Sequence, residues 1–447
     1  MGHLAVRRLS SLGEDERARI LARARAIAFD PSLTEEIGEI VAAVRRDGDQ
    51  AVSEALARFD RVECPPDRLR VGEEQVAAAA RGIDQNLADA VRGGLANIRA
   101  FNERVLEGAS WRAEIAPGIE AGEKAGPIDS AALFVPSGRG SFPSVLMQIG
   151  MPAVVAGVPH VAVLAPPSRE HGGDVDPAVL FVAAELGLRD VFRVNGPAGI
   201  AAAAFGTESV PRVSRVVGPG SPAVVAAQIA VQAYGCSTVM LFGASESMIV
   251  ADESADPRLL AADLLNEAEH GHDSAALLVT ASDALVEAVA AEVEIQLERL
   301  PEPRRGFAAS AISDFGGAFL AADLDEAVAF ANDYAPEHLQ LAVSEPDALL
   351  EQIEHAGEIL LGSVPFAAAN YVLGIPATLP TGRFARSSSG VTARTFVKTS
   401  SIGRASPDAL AGLGPAVVAL AEHEGFPAHA AAVRARLDRA GEASVEE

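Results

Sequence analysis

After Gly126 the chain changes period. Short apolar runs, ALFVP, VAVLAP, VFRVN, RVVGPG and TVML, are separated by Ala- and Val-rich stretches of helical character. A brief apolar run bounded by turn residues reads as a strand buried on both faces, and strands that alternate with helices pair in parallel. A second series, MIVAD, AALLVT, AFLAA, LQLAV and EILLG, follows between about Ser247 and Asn370. Two βα series in tandem predict an α/β chain with two Rossmann-like domains of parallel sheet.

The flanks have a different pattern. From about Asp30 to Arg104, apolar residues recur at three- and four-residue spacing, as in EEIGEIVAAVRRDGDQAVSEALARF, with a polar break at ECPPDRLR. This predicts a helical N-terminal lead-in. From about Gly390 a Ser/Gly/Thr-rich stretch leads to an Ala-rich helix with a charged tail, the composition of an arm that packs on another subunit. The expected boundaries are 1–133, 134–245, 246–389 and 390–447.

Charge and composition exclude several classes. With 447 residues and a formal charge of −25, the chain repels a phosphate backbone, so no nucleic acid is expected as partner. Aromatic residues make up 5%, so the cores are expected to be built from small aliphatic side chains. No apolar run reaches the ~18 residues needed to cross a bilayer, and MGHLAVRRLSSLGEDERARI carries no signal-peptide core. No membrane association and a cytoplasmic location are therefore expected. Cys64 and Cys236 are too few for a disulfide framework and read as packing residues.

Several segments could carry chemistry. GPGSPA, Gly218 to Ala223, follows a strand-like run and opens a helix as a dinucleotide-binding turn does, although no acidic residue follows at ribose-binding distance. The match is loose, and an ordinary strand-to-helix turn is the plainer reading. PSGRG, Pro136 to Gly140, adds an Arg to exposed backbone amides and is a second candidate phosphate contact. NEAEHGHDS sets Glu267 and His270 three apart, on one helix face, as a metal pair requires, with His272 beyond the helix end. A solvated helix face is the plainer reading of that spacing. In NDYAPEHLQLAV a Pro turn places Glu337 and His338 at a strand edge, suited to general acids and bases or to a structural turn. HEGFPAH sets Glu424 and His429 in the tail, where surface residues are the simpler reading.

Taken together, these segments resemble the histidinol dehydrogenase family over nearly the whole chain. The resemblance is carried by VRRDGDQAVSEALARFD, FVPSGRGSFPSVLM, AAFGTESVPRV, VGPG, SESMIVAD, EAEHGHDS, YAPEHL, TLPTGRFARSSSGV and EGFPAH. It implies two Rossmann-like domains, the cofactor on 134–245 and the metal and catalytic residues on 246–389. It also implies an intertwined homodimer whose swapped C-terminal arm completes the partner's active site. The ligands of a Zn²⁺, or of another divalent metal, would fall on Glu267, His270, Asn370 and His429. Glu337 and His338 would handle protons, His338 for the alcohol and Glu337 for the water that adds to the aldehyde. Ser245 and Glu424 match substrate-contacting positions, and Phe134, Ala198 and Ser221 fall at the positions that contact NAD, with NADP left open.

Some positions depart from the family pattern. Glu267 stands where the family has Gln, and Asn370 where it has Asp, so one carboxylate is gained as another is lost. The His of the family's Asn-His-x-Leu-Pro-Thr segment is absent, with Pro376 and Ala377 in its place. Three polar cofactor contacts are reduced to the single hydroxyl of Ser221. These departures lead to the expectation of a metal-dependent, NAD-linked oxidation of a small amino alcohol or polyol-like alcohol other than histidinol, carried to the aldehyde, with the second step to the carboxylate left open. Histidinol itself and a non-catalytic binding protein on the same fold are the alternatives.

Overall fold

The computed structural model describes residues 4–22, 30–136, 140–239 and 243–443. The chain divides into two compact units, 1–105 with 128–396, and 106–127 with 397–447. The first unit holds both predicted parallel sheets. Four strands run in the order Asp190–Arg193, His160–Ala165, Ser130–Phe134, Arg215–Val217, and every pairing is parallel. Six more run in the order Val6–Arg8, Gly317–Leu320, Ala275–Thr280, Glu246–Ala251, His338–Ala342, Glu358–Leu361, again parallel throughout. The α/β class expected from the alternating pattern is the one observed.

Strand alternation explains why the six-stranded sheet needs two cores. Successive side chains point to opposite faces. Ile249, Ala251, Leu278 and Leu320 enter one apolar cluster, while Met248, Val250, Leu277 and Phe319 enter the other. In the four inner strands neither face meets water, so they read as nearly continuous apolar runs. On the four-stranded sheet, Ala132, Phe134, Leu164, Phe192 and Val216 pack into a cluster with Ile37, Val41 and Val44 of the lead-in helix Pro31–Ala55. That helix begins where expected because Asp30 caps it, accepting from Ser32 N at 2.8 Å, with Pro31 in the first turn. Helices Glu73–Gly82 and Gln85–Leu106 complete the predicted helical lead-in.

Two features were not expected from the sequence. Val6–Arg8 forms an edge strand beside Gly317–Leu320. The second unit holds an antiparallel sheet in which Ile119–Pro127 pairs with Trp111–Ala116 and with Val397–Ala405, followed by helices Pro407–His423 and Pro427–Ala443. The strand Val397–Ala405 has no buried residue, so it carries no hydrophobic alternation to read. Of TVML, Thr238 and Val239 lie outside any strand, and the remainder lies outside the described residues, as do Ser137 to Arg139 of the PSGRG turn. Among the described residues no helix is long and apolar enough to cross a membrane.

Candidate active site

The strands of the six-stranded sheet begin where the polar residues gather. His338 opens its strand in register with Ser247 on one side and with Glu358 on the other. The helix Pro257–Ala268, capped by Asp256 accepting from Arg258 N at 2.8 Å, brings Glu267 to that edge in its last turn, with His270 just beyond. The strand-edge placement expected for Glu337 and His338 is therefore observed, but at the amino ends. Open α/β sheets more commonly place ligands outside the carboxyl ends.

Glu267 is fully buried. Its Oε1 accepts from Asn266 Nδ2 at 2.7 Å and from Asn370 Nδ2 at 3.0 Å. Its Oε2 has no hydrogen-bond donor and lies 3.8 Å from His270 Nε2 and 4.0 Å from His338 Nε2. His338 Nε2 is also 3.7 Å from Glu337 Oε1, while its Nδ1 is 2.5 Å from Glu358 Oε1. Glu337 is held from the other side, its Oε2 accepting from Glu246 N at 3.0 Å, and Glu246 Oε1 accepts in turn from Gly382 N at 2.9 Å. Ser245 Oγ lies 3.3 Å from His270 Nδ1. Thus Glu267, His270, Asn370, Glu337, His338 and Ser245, singled out in separate segments of sequence, come together around one point.

Negative charge dominates that point. Burial alone would depress the His338 imidazolium, but the Glu358, Glu267 and Glu337 carboxylates outweigh it and push its pKa up to about 10. Burial opposes ionisation of Glu267, yet the nearby His270 and His338 charges and the Asn370 and Asn266 hydrogen bonds hold its pKa below the ordinary value. Glu246, Glu267, Glu337 and Glu358 are all buried here. Buried carboxylates are tolerated where positive charge compensates them.

A divalent cation fits this surplus. Two donors each about 2.1 Å from one tetrahedral ion stand roughly 3.4 Å apart, close to the 3.8 Å between Glu267 Oε2 and His270 Nε2. The last turn of the helix Pro257–Ala268 adds the partial negative charge of its carbonyls. Asn370 uses its Nδ2 on Glu267, which leaves its amide oxygen as a neutral donor. No group of three or more His, Cys, Asp or Glu side chains among the described residues is placed to hold a metal. The donor set implied by the sequence has two such side chains in this unit, and it needs the Asn370 amide and a further ligand.

The cofactor candidates lie on the other sheet. Between Ser130–Phe134 and Arg215–Val217 the strand order reverses, making a topological switch point, the place where open α/β sheets bind ligands outside the carboxyl ends of their strands. The GPG turn closes that edge. A Cβ on Gly218, whose φ is 148°, would stand 2.1 Å from Phe134 O, so only glycine permits the approach. Gln228 Nε2 donates to Gly218 O at 3.0 Å and holds the turn. Ser221 is exposed at the N-cap of the helix Pro222–Gln232 and makes no side-chain capping bond there, leaving its hydroxyl and the first-turn amides for a ligand. Phe134 and Ala198, by contrast, are core side chains, 1% and 2% exposed.

The tail candidates belong to the second unit. Glu424 follows the end of the helix Pro407–His423, and His429 sits in the first turn of the last helix with its ring 5.1 Å from that of Phe426. Both are exposed. His272 lies beyond the helix end, as expected, its ring 5.9 Å from Phe307. Burial raises the pKa of both Cys64 and Cys236, the latter to about 11, so neither thiol is a ready nucleophile.

Sequence reasoning missed Glu246 and Glu358. Each opens a strand, and the only signal in the sequence was an acidic residue leading an otherwise apolar run, ESMIVAD and EILLG. Which strands lie beside His338 is decided by sheet order.

Comparison with known proteins identifies a family. The family model described as histidinol dehydrogenase matches residues 23–437. A histidinol dehydrogenase from Synechocystis sp. is 41% identical over 400 residues, covering 89% of this chain and 91% of its own. A protein named histidinol dehydrogenase homolog 2, from Mesorhizobium japonicum, is 40% identical over 442 residues, covering 98% of this chain and 99% of its own. The crystal structure of histidinol dehydrogenase from Elizabethkingia anophelis superimposes with a TM-score of 0.89 at 28% identity, covering 99% of this chain and 100% of that one. With the family model spanning most of the chain, relatives near 40% identity over most of its length and the fold in agreement, the chain belongs to the histidinol dehydrogenase family of oxidoreductases.

Proposed function

We propose that the protein is an NAD-linked, divalent-metal-dependent dehydrogenase that takes a primary alcohol through its aldehyde to the carboxylate. The observation that carries this reading is the buried Glu267 Oε2. It has no hydrogen-bond donor and stands beside His270 Nε2 and His338 Nε2, with Glu337 next to it. Glu267, His270 and Asn370 would hold the metal together with His429 from a second copy of the chain. Glu424 of that second copy would face the substrate, as would Ser245. When bound, the metal supplies a Lewis acid for the alcohol oxygen and NAD supplies the hydride acceptor.

The chain's own residues handle the protons. His338 accepts the hydroxyl proton at Nε2 as the hydride leaves the carbon, which gives the aldehyde. Glu337 takes a proton from water at Oε1, the oxygen not bonded to Glu246 N, and the hydroxide adds to the aldehyde. A second hydride and proton then leave the hydrated carbon, so one alcohol yields one carboxylate and two reduced cofactors.

Relatives near 40% identity named histidinol dehydrogenase favour L-histidinol as the alcohol, which weighs against the different alcohol expected from the departures in sequence. A second reading, an alcohol without an imidazole, is favoured by one observation. Ala377 stands where the family carries His, and its N donates to Gln148 Oε1 at 3.3 Å, with no polar side chain to offer a ring nitrogen. The test is reduction of NAD by the zinc-loaded protein with L-histidinol beside a panel of amino alcohols and diols. Turnover of histidinol at ordinary enzyme rates supports the first reading, turnover of another alcohol alone supports the second, and no turnover across the panel removes both.

A further inference from the structure

We infer that Glu358 is a positioning residue for His338, fixing its ring so that Nε2 faces the reacting atoms; the inference rests on the proton-handling role proposed for His338. Four observations carry it. Glu358 and His338 face each other in parallel register, and Glu358 N donates to Glu337 O at 3.0 Å, so the strand that bears the carboxylate is tied to the backbone of the proton-handling pair. The Glu358 side chain is 3% exposed and its Oε1 lies 2.5 Å from His338 Nδ1. Its other oxygen, Oε2, has no hydrogen-bond partner, so the imidazole is the group that repays its burial. Finally, the Phe366 and His338 rings meet in a T-shaped contact, centroids 5.7 Å apart at 65°, which adds packing that favours this orientation of the imidazole.

The two nitrogens of His338 therefore do different work. Nδ1 carries a hydrogen held by Glu358, so the proton that the ring gives up and takes back is the one on Nε2, and the lone pair of the neutral ring lies there. That is the nitrogen beside Glu267 Oε2 and Glu337 Oε1, and the only one able to receive a proton from substrate. A ring flipped by half a turn about Cβ–Cγ would put Cε1 where Nε2 stands and Cδ2 where Nδ1 stands, which takes the lone pair away from the substrate and leaves the Glu358 carboxylate without a donor. A hydrogen bond from the far nitrogen of a working imidazole to a carboxylate holds both tautomer and direction, and losing such a partner typically costs about 10–100-fold in activity.

The test compares Glu358→Leu, which fills the space without a hydrogen-bond acceptor, with Glu358→Gln, whose amide oxygen can still accept from Nδ1. Kinetics, bound metal and proton NMR are measured on each full-length protein. For Glu358→Leu a fall in kcat of about 10–100-fold is expected, with KM for alcohol and NAD and the metal content close to those of the unsubstituted protein. Glu358→Gln should recover most of the loss. A strongly downfield Nδ1 proton, assigned by its disappearance in His338→Gln, should be present in the unsubstituted protein and absent in Glu358→Leu.

An unchanged kcat in Glu358→Leu, a loss confined to KM or metal content, or a Gln variant as slow as the Leu variant overturns the inference. If the unsubstituted protein turns over no alcohol, the proposed function fails by itself, and the downfield proton still decides whether Glu358 holds the ring. Its absence from the unsubstituted protein overturns the inference even where the Leu variant does not fold.

Discussion

Asn370 donates from Nδ2 to Glu267 Oε1 at 3.0 Å, which places the neutral amide and the carboxylate of the candidate ligand set in direct contact. The resemblance read in the sequence implies an amide and a carboxylate at these two positions in the opposite order, an exchange of charge across a hydrogen bond rather than its loss. Glu267→Gln alone should remove the negative charge and weaken zinc binding by about 10–100-fold, whereas Glu267→Gln with Asn370→Asp should recover most of it. Chelator competition gives both affinities. A double variant as weak as the single one would show that the two positions do not share the charge.

Glu337 Oε2 accepts from Glu246 N at 3.0 Å, and a glutamine amide oxygen can accept the same hydrogen bond. Glu337→Gln should therefore fold normally, oxidise the alcohol once and stall. The ratio of reduced cofactor to alcohol consumed should drop from two to one, with aldehyde trapped by a hydrazine reagent. Equal loss of both oxidation steps would contradict the role given to Glu337.

The carboxylates around His338 make the metal-free protein pH-sensitive. Its pKa of about 10 in the folded chain lies above the ordinary 6.5. This stabilising contribution is complete below the unfolded value of about 6.5 and is lost as pH rises through the folded value. The Tm of EDTA-treated protein should fall between pH ~6.5 and ~10, and the same slope should be shallower in His338→Gln. A flat profile in the metal-free protein would show that His338 does not carry the compensating charge.

Asp263, one turn before Glu267 on the same helix, has the opposite sign. Burial raises its pKa to about 6, against the hydrogen bond from Gln340 Nε2 at 3.0 Å, which lowers it, and the Glu267 charge, which raises it further. A carboxyl raised in the fold costs stability as pH climbs through the unfolded value toward the folded one, and the cost is complete above it. Asp263→Asn keeps an oxygen for Gln340 and should stabilise the protein by about 1–3 kcal/mol at pH ~8, with the gain fading below pH ~4. Thermal unfolding at the two pH values checks it, and destabilisation at pH ~8 would mean the ionised carboxylate is compensated.

The sequence by itself determined the class of fold and singled out most of the residues that the structure gathers in the candidate site. Buried parallel strands such as AALLVT must be apolar on both faces, and that local demand is visible in one dimension. The helix spacing of Glu267 and His270 and the adjacency of Glu337 and His338 are local too. Strand order was decided only by the tertiary structure. That Val6–Arg8 joins Gly317–Leu320, and that Glu358 lies beside His338, follows from pairings between segments whose own residues are equally compatible with other neighbours. The same holds for Val397–Ala405, an exposed strand with no apolar alternation to announce it. Periodicity records which face of an element is buried, whereas the partner it is buried against depends on how the whole sheet assembles, and it was that assembly which set Glu358 on the far nitrogen of His338.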